Sequence, residues 1–170
     1  MPPRLPHDSR LALLRPPAHE VKAQFIERFT RFVDWPGGTL PDKGPFVVCL
    51  VGESALADAF ARVAGRREIK NLPTLVRRIA DPKRVLTGCH LVYLAGDQEG
   101  ELGRLLARLR RSPVLTVSDS PGFAAAGVLI NLFVDQTSRV RFEINMQSVA
   151  RSPLKFSARL LRLATPIAAR

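Results

Sequence analysis

The run Ser118-Asp119-Ser120 comes closer than any other part of this sequence to residues that could do covalent chemistry. It follows the apolar run 114–117, and catalytic side chains of open α/β sheets collect at the ends of such strands. A serine nucleophile needs a histidine base within reach. The sequence has three histidines: His7, His19 and His90. The first two lie in or beside a proline-rich N-terminal arm. The alternative is that Ser120 caps a short helix with Pro121 at its first position. We favour the cap and predict no catalytic residue.

The neighbours Cys89 and His90 raise the question of a metal site, which would need three or four ligands. No further cysteine and no cluster of carboxylates accompanies them. We therefore predict no metal ligand and interpret His90 as a residue at the entrance of a strand. Cys49, the only other cysteine, lies in an apolar run of strand length. The residues alone allow either a disulfide or two buried reduced thiols.

Phosphate binding is the third chemistry that an α/β sequence suggests. The first apolar run is followed by Gly52-Glu53-Ser54-Ala55 and not by a G-x-G-x-x-G loop, which brings backbone amides close to a phosphate. The glutamate would also repel an anion. We therefore predict no nucleotide and no other cofactor, while a looser small-ligand site at the strand ends stays open.

The formal net charge of +11 comes from 26 Lys and Arg against 15 Asp and Glu. The basic residues are scattered, with the pairs Arg66-Arg67, Arg77-Arg78 and Arg110-Arg111 among them. Nucleic-acid modules add stacking aromatics or a recognition helix, whereas most aromatic residues here lie at core-periodic positions. We interpret the positive charge first as that of an arginine-rich soluble surface. The second interpretation is attraction to anionic lipid headgroups or to an acidic partner, and the last is binding of nucleic acid.

Hydrophobic periodicity predicts an α/β fold in one domain, residues 19–170, behind a flexible arm, residues 1–18. The predicted helices are 19–34, a helix ending near 64, 98–111, a short helix after Ser120, 147–150 and 157–164. The predicted strands are 46–51, two short ones within 68–79, 90–95, 114–117 and a C-terminal hairpin. This order indicates a mostly parallel, Rossmann-like or flavodoxin-like sheet with helices on both faces, ending in an antiparallel hairpin.

The second arm of that hairpin alternates, with Val140, Phe142 and Ile144 on one side. Arg139, Arg141, Glu143 and Asn145 lie on the other side. Exposure of the strand edge to solvent would explain the polar side of this arm. A partner protein or a second subunit can also pair with such an edge.

We take Arg141, Glu143 and Asn145 as candidate partner-binding residues. Trp35, the only tryptophan, joins them as an interface candidate, because tryptophan is favoured in binding hot spots. The alternative for Trp35 is a core anchor.

Four segments, in this order, resemble the YfiR-like family of bacterial periplasmic regulators: FIERFTRFVDWP, CHLVYLAG, the run VLTVSDSPGFAAAGVLINLFVDQTSRVRFEIN and LKFSARLLRLA. They begin at residues 25, 89, 114 and 154, and the resemblance covers roughly 21–164. Each segment is mainly apolar framework, and the ordered set is what is specific. The family usually carries Gly-Gly before the hairpin, where this sequence has Ala126-Gly127-Val128.

The resemblance implies a periplasmic protein that represses an inner-membrane diguanylate cyclase by binding its periplasmic region, and so lowers cyclic-di-GMP signalling and biofilm formation. It also implies a disulfide between Cys49 and Cys89, and a signal peptide removed before Met1, since the N-terminus lacks the apolar core of such a signal. The alternative is a periplasmic small-ligand-binding or adaptor protein with another envelope partner. An unpaired strand edge and a leucine-rich C-terminal helix further predict a homodimer.

Overall fold

A six-stranded sheet, parallel except for its last strand, organises the part of the chain that the computed structural model describes, residues 16–83 and 86–167. The strands are β1 (Val33–Asp34), β2 (Phe46–Val51), β3 (Thr74–Ile79), β4 (Leu91–Leu94), β5 (Leu115–Ser118), β6 (Ile130–Val134), β7 (Val140–Ile144) and β8 (Lys155–Phe156). The helices are α1 (Ala18–Phe29), α2 (Ala55–Gly65), α3 (Leu102–Leu109), α4 (Phe123–Ala126), α5 (Met146–Arg151) and α6 (Ala158–Leu163). The predicted N-terminal arm lies outside the described residues up to residue 15.

The main sheet has the order β3-β2-β4-β5-β6-β7, in which β7 runs antiparallel to β6. The five parallel strands follow the flavodoxin-like order, and β7 adds the antiparallel edge. This confirms the predicted α/β class, with its mostly parallel sheet and C-terminal hairpin. None of the helices in the described segments is both long enough and apolar enough to cross a bilayer.

Strand β2 shows why the centre of the sheet is apolar throughout. Its side chains Phe46, Val48 and Leu50 enter the core cluster that α1, α2 and α6 cover. Cys49 and Val51 enter the cluster on the opposite face, which α3 and α4 cover. A strand covered on both faces has no position for a solvated side chain, so it is a continuous apolar run. Each large side chain buried in this way contributes roughly 1.5–3 kcal/mol to folding.

Helix α1 is shorter than predicted. It ends at Phe29, and a 3₁₀ segment, Thr30–Phe32, follows it. The next two residues form β1, which pairs antiparallel with β8 through Val33↔Phe156 and Asp34↔Lys155. This two-stranded sheet joins residues more than a hundred positions apart, and two-residue strands have no periodicity to reveal them. The prediction of a helix over 19–34 was therefore wrong at its end.

The turn after β5 also differs from the prediction. Helix α4 begins at Phe123 behind Gly122, whose φ of +84° is the left-handed conformation that glycine adopts without strain. Ser120 contributes its backbone carbonyl, which accepts from the Phe123 N–H at 3.2 Å. The predicted side-chain cap by Ser120 with Pro121 in the helix was wrong, because Gly122 lets the chain turn before the helix begins.

A disulfide joins Cys49 of β2 to Cys89, which lies two residues before β4. The two Cα atoms are 5.9 Å apart and both side chains are buried. Strands β2 and β4 are neighbours in the sheet, with Cys49 opposite Val92. The bond therefore closes the 40-residue separation that contains α2 and β3.

We predict that reducing the Cys49–Cys89 bond lowers the melting temperature. Loop closure limits the unfolded chain, so the bond should add roughly 4 kcal/mol to the free energy of unfolding on the chain-entropy model. Thermal unfolding with and without reductant measures the effect. The Cys49→Ala/Cys89→Ala variant should melt at one temperature under both conditions. Intact mass after alkylation under denaturing, non-reducing conditions tests the bond itself, and two fully alkylated thiols would contradict it.

Candidate functional site

The carboxyl ends of β2, β4 and β5 meet at one edge of the sheet, where ligands of open α/β sheets bind. The chain leaves β2 towards β3 on one side and returns to β4 on the other. The topological switch point therefore lies between β2 and β4. The sequence analysis allowed a small-ligand site at this edge.

Four polar side chains form one hydrogen-bonded cluster at this edge, the carboxyl-edge network: Lys22, Ser54, Tyr93 and Asp119. The Tyr93 hydroxyl donates to Asp119 Oδ1 at 2.7 Å, and Lys22 Nζ lies 3.1 Å from Asp119 Oδ2. Ser54 Oγ lies 2.9 Å from the Tyr93 hydroxyl and accepts from the Ala57 N–H at 3.0 Å, which caps α2. The network thus fastens α1, α2, β4 and the end of β5 to one another.

The electrostatics of the network keep Tyr93 protonated. Burial, followed by the nearby Asp119 carboxylate, raises the pKa of the Tyr93 phenol far above its usual value. The phenol therefore stays the donor in its hydrogen bond to Asp119. Ser118 Oγ, at the end of β5, donates to the Leu94 carbonyl at 2.6 Å and is fully buried. These hydroxyls hold the fold together, and none has a histidine among its hydrogen-bond partners in the described residues.

The loops at the switch point fill the space in which a phosphate would lie. Gly52 has a φ of +85°, and a Cβ there would overlap the Asp97 carboxylate and lie 2.9 Å from Ala95 Cβ. A Cβ on Gly96 would lie 2.6 Å from Ser120 Oγ. Asp97 Oδ2 accepts from the Glu53 N–H at 3.2 Å, so a protein carboxylate takes the amide that a phosphate would use. This packing argues against an anion between β2 and β4.

Asn131 connects this edge to the hairpin. Strand pairing places Ser118, Asn131 and Glu143 side by side on β5, β6 and β7. Asn131 Nδ2 donates to the Ser120 carbonyl at 2.9 Å and to Glu143 Oε1 at 3.2 Å. Asn131 is only 1% exposed, and its Oδ1 has no hydrogen-bond partner among the described residues. A buried amide therefore fixes the direction of the half-buried Glu143 carboxylate.

Arg141 is held by the hairpin turn. Its Nε donates to Asp135 Oδ2 at 2.9 Å, while the Thr137 hydroxyl and the Arg139 N–H donate to Oδ1 at 2.6 and 3.0 Å. These hydrogen bonds, with that of Thr137 first, hold the pKa of the Asp135 carboxyl below its usual range. Ser138 has a φ of +63°, the left-handed residue that three-residue hairpin loops require. The turn thus holds the exposed guanidinium group of Arg141 in a defined position.

Asn145 has a structural task as well. Its Oδ1 accepts from the Ser148 N–H at 2.9 Å and so caps α5, and its Nδ2 donates to the Ala124 carbonyl at 2.7 Å. Arg141 and Glu143 lie on one face of β7, as the alternation predicts, whereas Asn145 follows the strand and begins α5. We name the part of this face formed by Phe133, Arg141 and Glu143 the hairpin face.

Trp35 is not part of the hairpin face. It lies at the opposite, amino edge of the sheet, where its ring packs edge-on against Phe46 with centroids 5.2 Å apart. Its Nε1 donates to the His90 carbonyl at 3.2 Å, and the residue is 8% exposed. Trp35 therefore lies in the core, which was the alternative interpretation of this residue. His90 lies beside it, and its Nδ1 accepts from the Val47 N–H at 2.9 Å.

Sequence reasoning missed Lys22, Tyr93 and Asn131. One signal was present, because a lone tyrosine in an otherwise apolar strand needs a partner for its hydroxyl. The partner lies at a different strand end, and the sequence does not say which. Within the described residues, no group of three or more His, Cys, Asp or Glu side chains is arranged to hold a metal ion.

The fold resembles that of a solved protein, the crystal structure of a conserved domain protein from Vibrio cholerae O1 biovar El Tor strain N16961. The TM-score is 0.60, the sequences are 9% identical, and the match covers 88% of this chain and 60% of the Vibrio chain. At this identity the likeness shows a shared fold alone. The profile of the YfiR/HmsC-like family matches residues 19–165, which is most of the chain. The protein therefore belongs to the YfiR/HmsC-like family.

Proposed function

We propose that this protein represses an inner-membrane diguanylate cyclase by binding the periplasmic region of that enzyme. The observation that carries the proposal is the family match over residues 19–165. The YfiR-like family consists of regulatory proteins that are not known as enzymes. Membership in this family suggests that the protein is a periplasmic regulator of a diguanylate cyclase. The Cys49–Cys89 bond supports an oxidising compartment such as the periplasm.

The hairpin face is the surface that we propose for the cyclase. Arg141 is exposed and Glu143 is half-buried, and both are held in place, by Asp135 and by Asn131 respectively. Side chains already fixed in the free protein lose little conformational entropy on binding. Alternating charges on such a surface also select a partner with the complementary pattern. Phe133 lies opposite Arg141 on β6 and supplies an apolar centre.

Repression on this proposal is a shift of population. The cyclase would exist in active and inactive conformations, and the repressor would bind the inactive one more tightly. Moving such an equilibrium from 1:99 to 99:1 takes a difference in binding free energy of about 5.5 kcal/mol. A disordered surface would use part of that energy to order itself, which is why the fixed side chains of the hairpin face matter.

We expect that deleting the gene raises cellular cyclic-di-GMP in a strain that expresses the partner cyclase, and that restoring the gene lowers it again. The physical reason is that loss of the repressor releases the active conformation. Quantification of cyclic-di-GMP by mass spectrometry measures the change. The alternative function, a periplasmic small-ligand binder or an adaptor for another envelope partner, predicts an unchanged level, and that result would contradict repression.

Glu143→Gln should weaken repression while leaving the fold intact. The glutamine carbonyl can still accept from Asn131, so shape and hydrogen bond are kept and only the charge is lost. We expect a melting temperature close to that of the wild type and a several-fold weaker complex with the periplasmic region of the cyclase, measured by calorimetry. Glu99→Gln, at an exposed carboxylate without an ion pair in the described residues, is the control for charge. Equal affinities of both variants and the wild type would remove Glu143 from the interface.

We further propose that the protein is a homodimer. The outer edge of β7 is partly covered, because Thr165 donates its N–H to the Phe142 carbonyl at 2.8 Å. The neighbouring helix α6 nevertheless leaves Leu163 65% exposed. A large apolar side chain next to a strand edge is a feature of interfaces, and two-fold dimers are the commonest assembly.

Light scattering after size-exclusion chromatography is expected to give twice the monomer mass at micromolar concentration. Leu163→Ser should shift the mass towards the monomer, because it removes apolar area from the proposed contact. Met146→Ser, at a side chain that is 55% exposed, is the matched control and should stay dimeric. A monomer mass for the wild type would disprove the dimer at that concentration.

A further inference from the structure

A cavity of about 130 Å³ lies away from the carboxyl-edge network, among α3, α4, α5 and the beginning of β5. Its apolar lining consists of the small side chains of Ala125 and Ala126 and four larger ones, Leu106, Leu109, Val114 and Leu129. The four larger side chains are buried in the fold. An apolar cavity of roughly 150 Å³ is large enough for a benzene molecule, so this one accepts about one six-membered ring or a short branched chain.

The polar lining of the same cavity includes two cations, Arg110, directly after α3, and Arg151, at the end of α5. The other polar lining residues are uncharged: Ser112, Thr116, Asn145, Gln147, Ser148 and Ser152. Arg110, Arg111 and Arg151 also line an adjoining depression. Two segments about forty residues apart in sequence therefore bring three guanidinium groups to one place.

None of these three arginines forms an ion pair with a carboxylate in the part of the chain that the structure describes. The ion pairs found within residues 16–83 and 86–167 use other cations, among them Arg78 with Asp58 and Arg104 with Glu101. Three like charges around one depression repel one another, and an anion between them would relieve the repulsion. Guanidinium groups bind carboxylates and phosphates through paired N–H donors.

We propose that this cleft binds a small amphipathic anion, with its carboxylate or phosphate group on Arg110 and Arg151 and its apolar part in the cavity. The combination matches the usual design of ligand pockets, in which apolar walls supply contact area and a few polar groups fix orientation. The site goes beyond the proposed regulatory function and does not depend on the cyclase, since it can be tested on the protein alone.

Isothermal titration with benzoate and phenyl phosphate tests the site and distinguishes the two anionic groups. Benzyl alcohol has the ring without the charge, and inorganic phosphate has the charge without the ring. We expect one or both aromatic anions to bind at least about tenfold more tightly than either partial probe, and more weakly as salt concentration rises.

Arg110→Ala/Arg151→Ala should weaken binding of the preferred anion by about tenfold or more, because charge-assisted hydrogen bonds are lost. The control, Arg139→Ala/Arg162→Ala, removes the same net charge from exposed positions on the hairpin and on α6 and should bind as the wild type does. Ser148→Phe should fill the cavity and abolish the advantage of the aromatic anions over inorganic phosphate. Circular dichroism checks that each variant is folded.

Three results would overturn the proposal. The first is that neither aromatic anion binds the wild type at millimolar concentration. The second is that Arg110→Ala/Arg151→Ala binds as well as its charge-matched control. The third is that folded Ser148→Phe binds benzoate or phenyl phosphate as the wild type does, which would place the ring outside the cavity.

Discussion

The burial of both faces of the central strands is the constraint on which the rest of this structure depends. Strands β2 and β4 carry helices on both sides, and nearly all of their side chains are buried. Polar groups can then lie only where a strand ends or where a long side chain reaches an edge. Tyr93 illustrates this rule, because its ring belongs to the core while its hydroxyl meets Asp119 at the carboxyl edge. The Cys49–Cys89 bond lies in the same layer and ties β2 covalently to the residues that lead into β4.

The hairpin packs against the core with only one side of β7, which leaves its other side available for binding. Phe142 and Ile144 pack towards α1 and α6, while the opposite side of β7 carries Arg141 and Glu143. Antiparallel edge strands with one covered face tolerate such alternation, whereas parallel strands covered on both faces do not. Both charged side chains nevertheless have a hydrogen-bond partner within the fold, Asn131 for Glu143 and Asp135 for Arg141. This side of the hairpin therefore combines exposure with defined side-chain positions.

The sequence predicted most of the architecture, because continuous apolar runs and alternation are local signals. β2 was predicted at its observed bounds, and the hairpin was predicted from the alternation around Phe142. The pairing of β1 with β8 was missed, since two-residue strands joined across the whole chain leave no local pattern. The start of α4 was missed because the left-handed turn at Gly122 outweighed the preference of Ser120 for a cap. Trp35 was taken as an interface candidate on residue type, and only the packing against Phe46 shows its burial.

The positive charge shows most clearly what a sequence alone does not reveal. Along the chain the arginines are scattered, which favours a merely soluble surface. In the fold their surroundings differ from one arginine to the next. Arg31, Arg78 and Arg141 each face a carboxylate within 3.0 Å, so their charge is largely compensated. Arg110 and Arg151 instead line one cavity, and neither has a carboxylate partner in the described residues. Net charge alone cannot separate these cases, because the distinction depends on which chain segments the sheet brings together. The location of uncompensated charge, and not its amount, is therefore what points to a ligand.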